Sequence, residues 1–142
     1  MSPDLLMIDT CIVIDYLENR GPAWADEAEA LLSLDENQCT LCITAKAITD
    51  LFYILHRFFH DKEKAKAVIE DLLGLFRIVG TEEADVVNAL GSPIGDYEDA
   101  VMEETAFRIG ADYIITRNTA DYRNSRIPVL SAGEYVKREA CG

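Results

Sequence analysis

Leu5-Leu6-Met7-Ile8-Asp9-Thr10 is the stretch on which the reading of the whole chain turns. Four consecutive apolar residues, too few for a helix and without alternation, have the pattern of a strand covered on both faces. Such strands belong to parallel sheets, and in an open parallel sheet ligands bind beyond the carboxyl ends of the strands. Asp9 is the first residue after the run, so it stands at that edge. It is a candidate functional residue, set against the ordinary use of Asp in turns and helix caps.

Outward from this run, strands and helices alternate. Ile12 to Leu17 opens a helix that Thr10 can cap, and Gly21-Pro22 interrupts it. Ala23 to Leu34 reads as a helix with Trp24, Ala28, Leu31 and Leu32 on one stripe, and Asp35-Glu36-Asn37 as a turn. Cys39 to Ile43 is a second strand, Ala45 to Phe59 a strongly amphipathic helix, and Asp61 caps another helix running through Leu75. Phe76 to Val79 is a strand. Thr81 can cap a short helix with Ala84, Val86, Val87 and Leu90 as its apolar positions, ended by Gly91-Ser92-Pro93. Asp96 to Ile109 is a helix closed by Gly110, Tyr113 to Thr116 a strand, and Asn118 to Asn124 a loop or short helix. Pro128 to Leu130 and Ala132 to Arg138 supply a last strand and a last helix. The expectation is an α/β fold: a three-layer α/β/α sandwich around a central, mainly parallel sheet, in one domain over residues 1–142.

Composition narrows the function. The chain has 142 residues, 49% apolar and 27% charged, which is ordinary for a globular domain and excludes general disorder. Its apolar runs are far shorter than the ~20 residues of a membrane span, and no secretory signal opens it, so a cytoplasmic protein is expected. Thirteen basic against twenty-six acidic residues leave a net charge of −13. That field repels nucleic acid, so a polyanionic substrate would need clustered basic residues or bound cations, while a basic protein is welcome. Cys39 and Cys42 form a C-x-x-C, but on a strand rather than at a helix start, and without a second pair for zinc. Buried thiols account for them. His56 and His60 have a zinc helix's spacing, but Arg57 follows the first where a metalloprotease needs Glu.

Among the acids, a few break the pattern of solvated helix faces. Asp50 lies at the margin of the apolar stripe formed by Ile48, Leu51, Phe52, Leu55 and Phe58, so it needs a cation, a proton, or a salt bridge to Lys46 or Arg57. Asp99 begins a helix after a loop, and Asp121 follows a strand by five residues, both where the chain re-enters the strand-end crevice. Glu103 and Glu104, one turn beyond Asp99, read as a solvated acidic face. Convergence of Asp9, Asp50, Asp99 and Asp121 would suit Mg²⁺ or Mn²⁺, hard cations that take carboxylates, water and substrate phosphate. One or two such ions could activate water and clamp a phosphodiester.

Three longer segments carry a resemblance. MIDTCIVIDYL at 7–17, ITAKAITDLFYIL at 43–55 and DYEDAVMEETAFRIGADYIITRNTADY at 96–122 resemble PIN-domain ribonucleases, in particular VapC-type toxins of type II toxin–antitoxin pairs. By that resemblance Asp9, Asp50, Asp99 and Asp121 are the catalytic, metal-binding acids, and Thr10, Thr116 and Asn118 surround the site. Two departures stand out: Asp50 fills a position where most members carry Glu, and Asn118 one where many carry Asp. The resemblance implies a Mg²⁺- or Mn²⁺-dependent endoribonuclease acting on single-stranded or structured RNA, commonly a homodimer, with a small basic antitoxin as partner. Arg117, Arg57 and Lys62, Lys64 and Lys66 are its candidate RNA backbone contacts. The alternative is a catalytically weakened domain that binds protein or RNA. An aspartyl phosphatase would need a second acid where Cys11 stands, and a receiver module would need a Lys after a late strand, but no Lys lies between Lys66 and Lys137.

Overall fold

The structure is a computed structural model that describes residues 2–19 and 21–141. Five strands, β1 (Asp4–Ile8), β2 (Cys39–Thr44), β3 (Arg77–Val79), β4 (Tyr113–Ile115) and β5 (Val129–Leu130), form one sheet in the order β3-β2-β1-β4-β5. Every pairing is parallel. The helices between them are α1 (Thr10–Glu18), α2 (Pro22–Leu32), α3 (Ala45–Phe59), α4 (Lys62–Leu73), α5 (Glu83–Ala89), α6 (Tyr97–Arg108) and α7 (Ala132–Cys141), with a 3-10 turn at Thr119–Tyr122.

The period of two along each strand sorts side chains between two cores. Leu6 and Ile8 of β1, Leu41 and Ile43 of β2, and Ile115 of β4 face one core, packed under α1, α2, α3 and α7. Met7, Cys42 and Ile114 point the other way, under α6 and the 3-10 turn. This is the expected three-layer α/β/α sandwich, with its sheet wholly parallel. It also disposes of the C-x-x-C: Cys39 and Cys42 are both buried, but against opposite cores.

Strand order reverses at β1. From β1 the chain steps outward through β2 to β3, then returns to the other flank for β4 and β5. The crevice at such a switch point opens beyond the carboxyl ends of β1 and β4, where Asp9 and Thr116 stand.

Several local expectations are met. Thr44 Oγ1 accepts the Ala47 N–H at 3.1 Å at the start of α3, Asp61 accepts from Glu63 and Lys64, and Asp96 Oδ1 accepts from Asp99 at 3.0 Å. Gly110 follows α6 with φ +74°, a conformation that favours glycine. His60 ends α3, and His56 stacks on Phe52 with ring centroids 5.9 Å apart.

Four expectations are corrected. Thr10 does not cap α1: it is the first helical residue, and Asp9 holds the cap position with its carboxylate turned to other partners. Glu82, not Thr81, caps α5, and the buried residues of that helix are Asp85 and Ala89, while Val86, Val87 and Leu90 are exposed. The cause is an ion pair. Arg108 of α6 reaches Asp85 at 3.0 Å, Thr105 donates to the same carboxylate at 3.2 Å, and the short helix docks on its polar side. Trp24 is 42% exposed instead of joining its stripe in the core; the Arg117 guanidinium lies 5.7 Å from its ring centre. Glu103 is no solvated acid either. It is 2% exposed, and Arg126 grips it through Nη2 at 2.7 Å and its backbone N–H at 2.7 Å. Burial pushes the Glu103 carboxyl up, but the bonds and charge of Arg126 outweigh it and hold the carboxyl below its ordinary range.

Candidate active site

A cavity of about 350 Å³ opens at the switch point. Asp9 from the end of β1, Asp50 from α3 and Asp99 from the first turn of α6 all line it, as does Thr10. Three carboxylates separated by 41 and 49 positions in sequence thus meet in one crevice.

Each acid is held differently. The Thr116 hydroxyl, fully buried just past β4, donates to Asp9 Oδ2 at 2.8 Å. Burial pushes the Asp9 carboxyl up, only partly offset by Thr116, the Thr10 backbone and Cys11, while the charge of Glu98 pushes it further. Tyr122, buried at the end of the 3-10 turn, donates to Asp99 Oδ1 at 3.0 Å. Burial again leads in raising Asp99 to about 6; Tyr122 opposes it, and the charges of Asp96, Asp9 and Asp121 add to it. Two half-desolvated acids therefore repel one another across the cavity. Asp50 is the exception. At 43% side-chain exposure it is paired with Lys46 Nζ at 2.7 Å, and the same ammonium lies 3.4 Å from Glu98. That hydrogen bond, with the charges around it, raises the Lys46 pKa and keeps it charged.

The other sequence candidates lie around this centre. Asp121 lines a neighbouring depression beside Ile94 and Asp96, and only its field reaches Asp99. Asn118 is exposed and precedes the 3-10 turn; its backbone N–H donates to Thr116 Oγ1 at 3.1 Å. Arg117 is not among the residues lining the cavity. Its Nη1 is 2.7 Å from Asp15 Oδ1, a carboxylate that is 2% exposed. Arg57, Lys62, Lys64 and Lys66 do not line the cavity. Tyr122 and Lys46 are site residues to which sequence reading assigned no role in the chemistry. The adjacent pair Asp121-Tyr122 is visible in sequence, but nothing marks the tyrosine as a donor to an acid 23 positions earlier.

The donor set fits a hard divalent cation in one particular way. Among the described residues no three His, Cys, Asp or Glu side chains are grouped to hold a metal. Asp9 and Asp99, each already oriented by one hydroxyl, offer two oxygen ligands whose mutual repulsion a doubly charged ion would relieve. That is the usual Mg²⁺ arrangement, one or two carboxylates completed by water and substrate oxygens.

The family model for the PIN domain matches residues 6–120, which span β1 to the start of the 3-10 turn and include Asp9, Asp50 and Asp99. The chain belongs to the PIN-domain family. Solved structures with the same fold include VapBC2 from Rickettsia felis bound to a DNA fragment from their promoter (TM-score 0.65, 16% identity, covering 89% of this chain and 98% of that one). FitAcB from Neisseria gonorrhoeae gives 0.66 at 20% identity, covering 89% and 97%. The sarcin-ricin loop cleaving toxin VapC20 from Mycobacterium tuberculosis gives 0.61 at 12%, covering 87% and 98%. No curated protein matches the sequence. In this PIN domain no helix among the described residues is long and apolar enough to cross a membrane.

Proposed function

We propose that this PIN domain, a single domain over residues 1–142, is a divalent-metal-dependent endoribonuclease of the cytoplasm and the toxin of a toxin–antitoxin pair. The observation that carries the reading is the meeting of Asp9 and Asp99 in one crevice, desolvated and mutually repelling, each with a hydroxyl donor fixing its rotamer. A structural carboxylate is ordinarily given a basic partner, as Asp15, Asp85 and Glu103 are here; among the described residues Asp9 and Asp99 have none.

Asp9 and Asp99 would hold Mg²⁺ or Mn²⁺. Such an ion polarises a phosphoryl oxygen and lowers the pKa of water enough to hydrolyse a phosphodiester. Thr116 and Tyr122 keep the two carboxylates aimed, and burial and the acids around Tyr122 raise its pKa so that it remains a donor. Lys46 places the single basic side chain among those lining the cavity, where it holds Asp50 and can meet substrate phosphate. A −13 chain suits a basic antitoxin segment over this crevice, and a toxin–antitoxin complex from Klebsiella pneumoniae is among the structures that share the fold. Self-association as a homodimer belongs to the same reading.

The pairing of Asp50 with Lys46 favours one second reading, a weakened domain that binds but does not cut. Incubation of mixed RNA with Mn²⁺ separates the two. The wild type cleaves, and Asp9→Asn, Asp99→Asn and EDTA each stop it. RNA left equally intact by all forms, with no Mn²⁺ binding in calorimetry, leaves only the binding module.

A further inference from the structure

The lining of the cavity is not all acidic: part of it is an apolar wall made by Val86 of α5 and Tyr97, Val101 and Met102 of α6. Metal chemistry gives that wall nothing to do. Its most exposed parts are Tyr97 and Val86, and they are fixed to each other: the Tyr97 hydroxyl donates to the Val86 backbone oxygen at 2.8 Å. An exposed aromatic ring tethered at its far end cannot swing freely, so it meets a ligand already ordered. Tyr97 is also two residues from Asp99, so whatever lies on this wall lies beside the carboxylates.

We propose that Tyr97 is a stacking platform for an unpaired nucleobase adjoining the phosphodiester at Asp9 and Asp99. This rests on the ribonuclease reading and names its substrate class as RNA with an unstacked base at the cut. Charge leads to the same ligand. With −13 overall and one lysine in the cavity, this chain cannot draw binding energy from many phosphate contacts. Stacking on an aromatic face is indifferent to net charge, and it is how single-stranded nucleic acid is usually gripped. A base held in a duplex stays within its stack and cannot enter the cavity unless it is flipped out.

The test uses a short single-stranded RNA carrying one 2-aminopurine, with Ca²⁺ in place of Mg²⁺ and Mn²⁺. Wild type and Tyr97→Phe quench its fluorescence, because the ring remains. Tyr97→Ala and Tyr97→Leu lose the quenching and bind about tenfold more weakly, while all four proteins melt alike. The same base in a duplex is not quenched. Equal quenching by wild type and Tyr97→Ala overturns the platform, as does absent quenching by a protein that cleaves RNA in Mn²⁺; the ribonuclease reading survives both. Quenching without any cleavage keeps the platform and removes the nuclease. Absent quenching with Tyr97-dependent binding of an Arg- and Leu-rich peptide assigns the wall to a protein and overturns the proposal.

Discussion

Asp99 is the residue where electrostatics and function are most directly opposed. Its carboxyl titrates at about 6 instead of 3.8, so ionising it costs more in the folded chain than in the unfolded one. Stability is therefore lost as pH rises from about 4 through about 6, and the loss persists above. Asp99→Asn removes that cost and keeps an oxygen for the Tyr122 hydroxyl. In EDTA at pH 8 it should be more stable than wild type by about 1 kcal/mol, after discounting for solvent screening. That is a rise of about 3 °C in Tm, shrinking to nothing near pH 4, and thermal melts at both pH values check it. A fall in Tm at pH 8 would make Asp99 a structural partner. Lys46 makes the converse case. Its pair with Asp50 is exposed, so Lys46→Met should change stability by less than about 0.5 kcal/mol. Removing its charge from the crevice should tighten Mn²⁺ binding about fivefold, as calorimetry would read it.

At the scale of elements, the buried ion pairs fasten helices that apolar contact alone leaves loose. Arg126 enters from the loop before β5 and binds Glu103 in the middle of α6, fixing the helix that presents Asp99. Arg126→Ala strands a buried carboxylate and should cost about 3 kcal/mol. Adding Glu103→Gln should recover more than about 1 kcal/mol of it, a coupling that urea denaturation of the double-mutant cycle would measure. These pairs also mark where sequence reading stopped. Asp9 and Asp99 were legible because an apolar strand run and a helix start locate them without knowledge of anything distant. Glu103 has the same spacing from Asp99 as any solvated helix acid, and its partner lies 23 positions on, in a loop with no periodicity. Asp85 was hidden in the same way: the valines around it suggested an apolar face, and only Arg108 on the next helix reverses the orientation of α5. The parallel sheet and nearly all elements could be read because period and capping are local signals. The pairing of charges is not.

Across the whole molecule, excess acid and the cation site proposed in the crevice imply a stability that depends on what is bound. Mn²⁺ at a hundred times its Kd should stabilise the fold by about 2.7 kcal/mol, a Tm rise of about 8 °C. EDTA should reverse it and Asp9→Asn should abolish it, both visible by differential scanning fluorimetry. A rise of equal size in Asp9→Asn would place the ion elsewhere on the acidic surface.

The position of β1 has a bearing on how the chain is born. It precedes the other four strands in the sequence yet sits at the centre of the sheet, and its second neighbour, β4, starts at Tyr113. Until that strand leaves the ribosome, one edge of β1 has nothing to pair with, and Asp9 lacks the Thr116 hydroxyl that sets its rotamer. A nascent or prematurely terminated chain therefore carries no assembled crevice.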